Sequence, residues 1–371
     1  MSALATDERR ALARAIALAE RVRQDTAPNP AVGCVLLRDG EVVGEGATQP
    51  PGGRHAEAEA LAVAGDRAAG ATACVTLEPC AHVGRTPPCA PALADAGVRR
   101  VVYAQDDPHA VAAGGADHLR GRGVEVIGPG EVGDVLHGAV AGQLEGFLRV
   151  VTTGRPHVTL KLAQTADGAL QAADGRRWIT GSVARTAVHR WRAAVDAVLV
   201  GSGTVLADDP RLDVRHVPAT RQPRPVVLDR RLRTPPTAAI VARGALVLTR
   251  DDAPAERRRA LERAGAQVVP VAASDADWLA AALHDLAGHG VRSVLAEPGR
   301  TLADALLAAD LVDRVVLHVA LDGTGDGRRA VTPGPDRALT TERAGGAGPD
   351  LVLHLRPSPH QSSLPPAQKD R

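Results

Sequence analysis

The sequence predicts an α/β protein of two successive domains, and three observations carry that expectation. Strand-like and helix-like segments alternate along nearly the whole chain. At 371 residues the chain exceeds one ordinary domain. A second series of strands begins after "EGFLRVVTTGRP", which places a boundary at 146–156, drawn at 148/149.

In order, "MSALATDERRALARAIALAE" is amphipathic and carries Asp7, Glu8 and Glu20, so it reads as a first helix and not as a signal peptide. "AVGCVLLRDGEVVGEG" reads as two strands joined at Asp39-Gly40. A helix begins near His55, and "TACVTLE" is a short buried strand. "PPCAPALADAG" is a helix with Pro in its first turn and Gly past its end. "VRRVVYAQ" and "VEVIG" complete a layered α/β domain over 1–148. In 149–356, "HVTLKLA", "DAVLVG", "PVVLD", "ALVLT", "AQVVPV", "RSVLAE", "DRVVLHVA" and "LVLHL" read as strands, with helices near 183–193, 254–264, 276–288 and 301–309. They imply an open, largely parallel sheet with a nucleotide-sized crevice at its strand ends. The polar, Pro-rich tail 357–371 reads as disordered.

Composition narrows the function. A net charge of +1 and the lack of a basic-aromatic stripe argue against nucleic acid or membrane as partner. No apolar run reaches the ~18 residues that span a bilayer. Four cysteines without a secretory leader favour metal or catalytic use over disulfides, and a cytoplasmic setting. Of 44 basic residues only Lys161 and Lys369 are lysine, so a lysine kept within a folded region points to a demand for a compact ammonium.

The chemistry is concentrated in "HAEAEAL" at 55–61 and "EPCAHVGRTPPC" at 78–89. His55, Cys80 and Cys89 are donors suited to Zn2+, and three protein ligands leave a fourth position for water. Glu57 stands where a carboxylate can take that water's proton and return it to a leaving amine. The zinc deaminase signature pairs H-x-E with P-C-x-x-C; here the second cysteine arrives later, after an inserted loop. A closed structural knot with His82 as fourth ligand is the alternative. Cys34 and Cys74 lie in apolar strands and read as core.

"PNPAVGCVL", "HAEAEAL" and "TLEPCAHVGRTPPC" together resemble the deaminase domain of the bifunctional riboflavin-biosynthesis deaminase/reductase (RibD) family. The resemblance implies a cytidine-deaminase-like α/β/α domain with His55, Cys80 and Cys89 holding zinc and Glu57 shuttling protons. It also implies that Asn29, His82 and Arg85 contact a pyrimidine ribosyl phosphate. Thr48 and His109 stand where the family commonly has histidine and asparagine.

The segment 178–215 resembles the family's reductase domain, whose fold is like dihydrofolate reductase and whose donor is NADPH. That implies Lys161 and Asp208 flanking the carbon that accepts hydride, with Thr204, Asp208 and Trp178 meeting the cofactor. Arg192, Leu212, Arg215 and Glu297 would meet substrate, and Gly299, Arg300, Thr301 and Leu302 would surround the pyrophosphate, as a glycine turn opening a helix can. "TADG" at 165–168, Arg176, Arg230 and Pro298 depart from the family pattern, and the chain is shorter after "LHVALDG". The implied activity is deamination of a diaminopyrimidinone ribosyl phosphate followed by NADPH-dependent reduction of the ribosyl group, in a homo-oligomer. Two rivals stay open: a paralogue with a silent or repurposed second domain, and a non-catalytic nucleotide-binding protein with structural zinc.

Overall fold

A computed structural model describes residues 4–82, 87–109, 111–175, 178–321, 325 and 338–358. The chain forms two compact units, Met1–Gly154 and Arg155–Arg371.

The first unit opens with α1 (Thr6–Val22), which buries Ala11, Leu12, Ala15 and Ala19. β1 (Gly33–Arg38) and β2 (Glu41–Ala47) form the hairpin, with Arg38 opposite Glu41. Asp39 and Gly40 take φ values of 52° and 81°, the left-handed pair that a type I′ turn requires. There follow α2 (Ala56–Ala64), β3 (Thr72–Val75), α3 (Cys89–Asp95), β4 (Arg100–Tyr103), α4 (Gly115–Gly121), β5 (Glu125–Ile127), α5 (Pro129–Val132) and α6 (Asp134–Thr153). The sheet order is β2-β1-β3-β4-β5, antiparallel up to β3 and parallel beyond it. β3 is buried throughout, as the continuous apolar character of its segment requires. Cys34 and Cys74 lie in this core. α6 runs unbroken past residue 148 and ends at Gly154, a left-handed C-cap.

The second unit contains β6 (His157–Thr165), α7 (Ser182–Ala194), β7 (Ala197–Gly201), α8 (Ser202–Asp208), β8 (Arg224–Leu228), β9 (Leu246–Arg250) and α9 (Ala255–Arg263). It continues with β10 (Gln267–Val271), α10 (Trp278–Gly288), β11 (Ser293–Ala296), α11 (Arg300–Ala308), β12 (Arg314–Ala320), β13 (Leu339–Ala347) and β14 (Asp350–Pro357). The sheet order is β10-β9-β8-β7-β11-β6-β12-β14-β13, parallel from β10 to β12 and antiparallel in its last two strands. The open parallel sheet matches the sequence reading, and β13 is an addition to it. Its segment "LTTERAGGA" is exposed along most of its length and has no apolar alternation to mark it as a strand.

Candidate active sites

In the first unit three segments deliver the metal-ligand candidates. His55 is the extended residue that precedes α2, Cys80 lies in the loop that follows β3, and Cys89 is the first residue of α3. Their donor atoms lie within 4.8 Å of one another. His55 Nδ1 stands 3.7 Å from Cys80 Sγ and 3.3 Å from Cys89 Sγ. Around a tetrahedral zinc, imidazole nitrogen and thiolate sulfur stand about 3.6 Å apart, so the donor set fits that ion. Among the described residues the cluster has three donors and His82 is not one of them. This is the count of an open site and not of a closed knot.

The thiols are set unequally. A hydrogen bond from the Cys89 thiol, aided by His55, pushes Cys80 down to about 4, and the same contact pushes Cys89 up. The Cys89 backbone N–H also donates to Cys80 Sγ at 3.4 Å. Glu57 sits in the first turn of α2 and is 4% exposed. Burial, then the Cys80 charge, pushes its carboxyl up to about 7, where a proton is gained and lost most readily near neutral pH.

These groups face a cavity of about 390 Å³ whose walls include Asn29, Thr48, His82 and His109. His82 Nδ1 is buried without a hydrogen-bond partner among the described residues. Thr48 Oγ1 accepts the Val32 N–H at 3.0 Å, so its hydroxyl is committed to the backbone. Arg85 lies outside the described residues, as does Arg176. Sequence reasoning missed two contributors. Phe147, the chain's one phenylalanine, reaches the wall from α6. Glu78 accepts the backbone N–H of Ala116 (2.9 Å) and of Asp107 (3.4 Å), fixing the loop after β3 that carries Cys80.

In the second unit Lys161, half-buried on β6, is lowered by burial, while the Glu297 carboxylate opposes that shift. Arg192 holds Glu297 through two parallel hydrogen bonds, Nε to Oε1 at 2.7 Å and Nη2 to Oε2 at 2.8 Å. Its Nη1 donates to the Asp213 carbonyl at 3.1 Å. Asp213 in turn pairs with Arg215, whose backbone N–H donates to His189 Nδ1 at 3.3 Å. Leu212, 3% exposed, takes φ 53° in the same loop, a strained conformation for a branched residue. Sequence reasoning also missed Asp213 and His189: the Asp213 carboxylate pairs locally with Arg211 and Arg215, while its carbonyl meets Arg192 and His189 meets Arg215 across more than twenty positions. Asp208 is the exposed last residue of α8, and among the described residues no ion pair joins it to Lys161.

A cavity of about 730 Å³ opens at the ends of β7, β8 and β11, and its walls include Thr204, Gly299, Arg300, Thr301 and Leu302. The Gly299 N–H donates to Thr204 Oγ1 at 3.1 Å, tying the β7 turn to the start of α11. Trp178 and Asp208 are not on its walls; Trp178 is 55% exposed, with the Arg185 guanidinium 5.8 Å over its ring. Backbone N–H groups at a helix start, together with the arginines that line the same cavity, suit an elongated anion such as a dinucleotide.

Residues 5–105 match the family model described as the cytidine and deoxycytidylate deaminase zinc-binding region. Residues 156–353 match the RibD C-terminal domain. The chain belongs to the RibD family. The riboflavin biosynthesis protein RibD of Escherichia coli (strain K12) is 39% identical, covering 93% of this chain and 98% of that one. RibD of Mycobacterium tuberculosis (strain CDC 1551 / Oshkosh) is 38% identical over 93% and 96%. Among solved structures, Acinetobacter baumannii RibD superposes with a TM-score of 0.82 at 37% identity, covering 95% of this chain and 99% of that one. A Thermotoga maritima structure, titled a diaminohydroxyphosphoribosylaminopyrimidine deaminase/5-amino-6-(5-phosphoribosylamino)uracil reductase, superposes with a TM-score of 0.80 at 31% identity, with 95% and 99% covered. The two RibD domains make the chain a zinc-dependent deaminase joined to a reductase, a bifunctional enzyme of riboflavin biosynthesis. Among the described residues no helix is long and apolar enough to cross a membrane.

Proposed function

We propose that the first unit converts diaminohydroxyphosphoribosylaminopyrimidine to 5-amino-6-(5-phosphoribosylamino)uracil, and that the second reduces the ribosyl group of that product with NADPH. The observation that carries the reading is the three-donor cluster of His55, Cys80 and Cys89 beside the buried Glu57. The substrate assignment draws its support from the Thermotoga maritima relative, whose title names both reactions.

His55, Cys80 and Cys89 would hold zinc, which when bound would supply the Lewis acidity that makes water a nucleophile at neutral pH. Glu57 would take a proton from the water as its oxygen bonds to the ring carbon and would deliver it to the exocyclic amine; the carbon–nitrogen bond then breaks, ammonia leaves and a carbonyl remains on the ring. Asn29 and His82, with Arg85, orient the ring and its ribosyl phosphate. In the second unit Thr204 and Gly299 to Leu302 bind the pyrophosphate of NADPH, with Trp178 and Asp208 toward the nicotinamide. Lys161, whose ammonium the Glu297 carboxylate favours, stands at the carbon that receives hydride. Arg192, Leu212 and Arg215 hold the substrate.

The test is purified full-length protein given the diamino substrate and NADPH. Ammonia release and NADPH oxidation should both occur. Glu57→Gln should keep its zinc, lose ammonia release, and still oxidise NADPH when supplied with the deaminated intermediate. Ammonia release without NADPH oxidation would defeat the bifunctional assignment on this substrate.

A further inference from the structure

We propose that His189 is a positioning residue for the reaction of the second unit: from α7 it holds the segment Leu212–Arg215 in the conformation that presents Leu212 and Arg215 to the ribosyl substrate. The inference deepens the substrate reading given above to those two residues and rests on it.

The segment needs support from outside itself. It lies between α8 and β8 and belongs to neither sheet. Among the described residues Asp213, Val214 and Arg215 make no backbone–backbone hydrogen bond. Side chains take the place of a neighbouring strand. The Gln222 amide brackets Val214, accepting its N–H at 2.7 Å and donating to its carbonyl at 3.2 Å. Arg192 Nη1 donates to the Asp213 carbonyl at 3.1 Å. His189 Nδ1 accepts the Arg215 N–H at 3.3 Å. These contacts work against a local preference. Leu212 takes φ 53°, a conformation that a bulky side chain keeps only where its surroundings impose it.

α7 supplies two of the three supports. His189 and Arg192 stand three positions apart on that helix, so they share one face. Arg192 also grips Glu297, so the helix fixes the segment in the same frame as that carboxylate. His189 closes the arrangement at Arg215, whose guanidinium pairs with Asp213. The backbone of this short segment therefore sets where the Arg215 cation stands.

The imidazole is suited to accept. His189 is 6% exposed. Burial, then the Arg192 charge, with His216 and Arg215 adding to it, pushes the ring down to about 4. At neutral pH it is uncharged, and Nδ1 keeps the lone pair that the Arg215 N–H requires. A side chain present only to fill space would have no need of an acceptor at that atom.

The experiment is steady-state kinetics of the full-length protein with the deaminated intermediate and NADPH, comparing two polar replacements. Asn puts its oxygen where Nδ1 stood, and Gln puts its own where Nε2 stood. His189→Gln should raise KM for the intermediate roughly 3- to 10-fold, the net worth of one hydrogen bond. Its kcat and its KM for NADPH should hold, the pattern left when uniform binding is lost. His189→Asn should recover most of the affinity. Gln222→Ala, at an exposed position, loosens the segment without touching α7 and should raise the same KM. Arg215→Ala checks the substrate reading separately. An unchanged KM in Arg215→Ala defeats that reading and the inference with it. A raised KM in Arg215→Ala with none in His189→Gln overturns the inference alone. Equal losses in the Asn and Gln variants, or a parallel fall in kcat, make His189 a packing residue and overturn it too. Should neither His189 variant fold, Gln222→Ala decides: a raised KM supports the proposal and an unchanged one overturns it.

Discussion

Arg192 and Glu297, 105 positions apart, meet in a bidentate pair at 2.7 and 2.8 Å with side chains only 13% and 14% exposed. Glu297 in turn supplies the negative charge that opposes the lowering of the Lys161 ammonium, so the fork that fixes Glu297 also fixes a charge that Lys161 feels. Arg192→Lys keeps the charge but cannot reproduce two parallel hydrogen bonds. It should cost roughly 2–4 kcal/mol, somewhat below the range for breaking a fully buried pair. Urea unfolding followed by tryptophan fluorescence reads this unit alone, because Trp178, Trp191 and Trp278 all belong to it.

Metal removal should separate the two activities. A zinc chelator should abolish ammonia release and leave NADPH oxidation on the deaminated intermediate intact, since His55, Cys80 and Cys89 all lie in the first unit. Added zinc should restore the first activity. Loss of both activities on chelation would contradict the division of labour.

Gly115, the first residue of α4, presses against the Pro79 carbonyl immediately before Cys80. A Cβ at this position would lie 1.6 Å from that oxygen. Gly115→Ala must therefore displace the segment that carries Cys80. We expect a loss of about 1–3 kcal/mol from the overpacked contact and fewer than one zinc per chain by elemental analysis, with the reductase unaffected.

His318 is 0% exposed on β12, edge-on to Trp191 at 5.3 Å, and neither ring nitrogen has a hydrogen-bond partner among the described residues. Burial, then the nearby Lys161, pushes it down to about 4, against about 6.5 in an unfolded chain. Because the folded value is the lower one, the unfolded state binds the extra proton first. The contribution is complete above pH ~6.5 and is lost as pH falls toward 4, a change of up to about 3 kcal/mol. His318→Leu should flatten the fall in stability of this unit between pH 7 and 4.5.

Some of this was legible in the sequence for physical reasons and some was not. The Asp39-Gly40 hairpin was legible because backbone twist admits few residue pairs at such a turn. The cluster of His55, Cys80 and Cys89 was legible because soft donors are rare in this chain and their spacing is distinctive. Asp213 and His189 were not, because their role arises where α7 meets the loop after α8, and no local pattern encodes that meeting. Nor was β13, whose charged and glycine-rich segment becomes a strand only by pairing with β14.

The position of β6 has a consequence for how the chain is made. Its two neighbours are β11 and β12, which the ribosome delivers only after residue 290. The strand bearing Lys161 thus leaves the ribosome early and waits with both edges open while well over a hundred further residues are synthesised. The first unit can settle during translation, but the second can only close near its end. Pairing at such sequence separation is slow, which makes this strand the place where a nascent chain is most exposed to wrong partners.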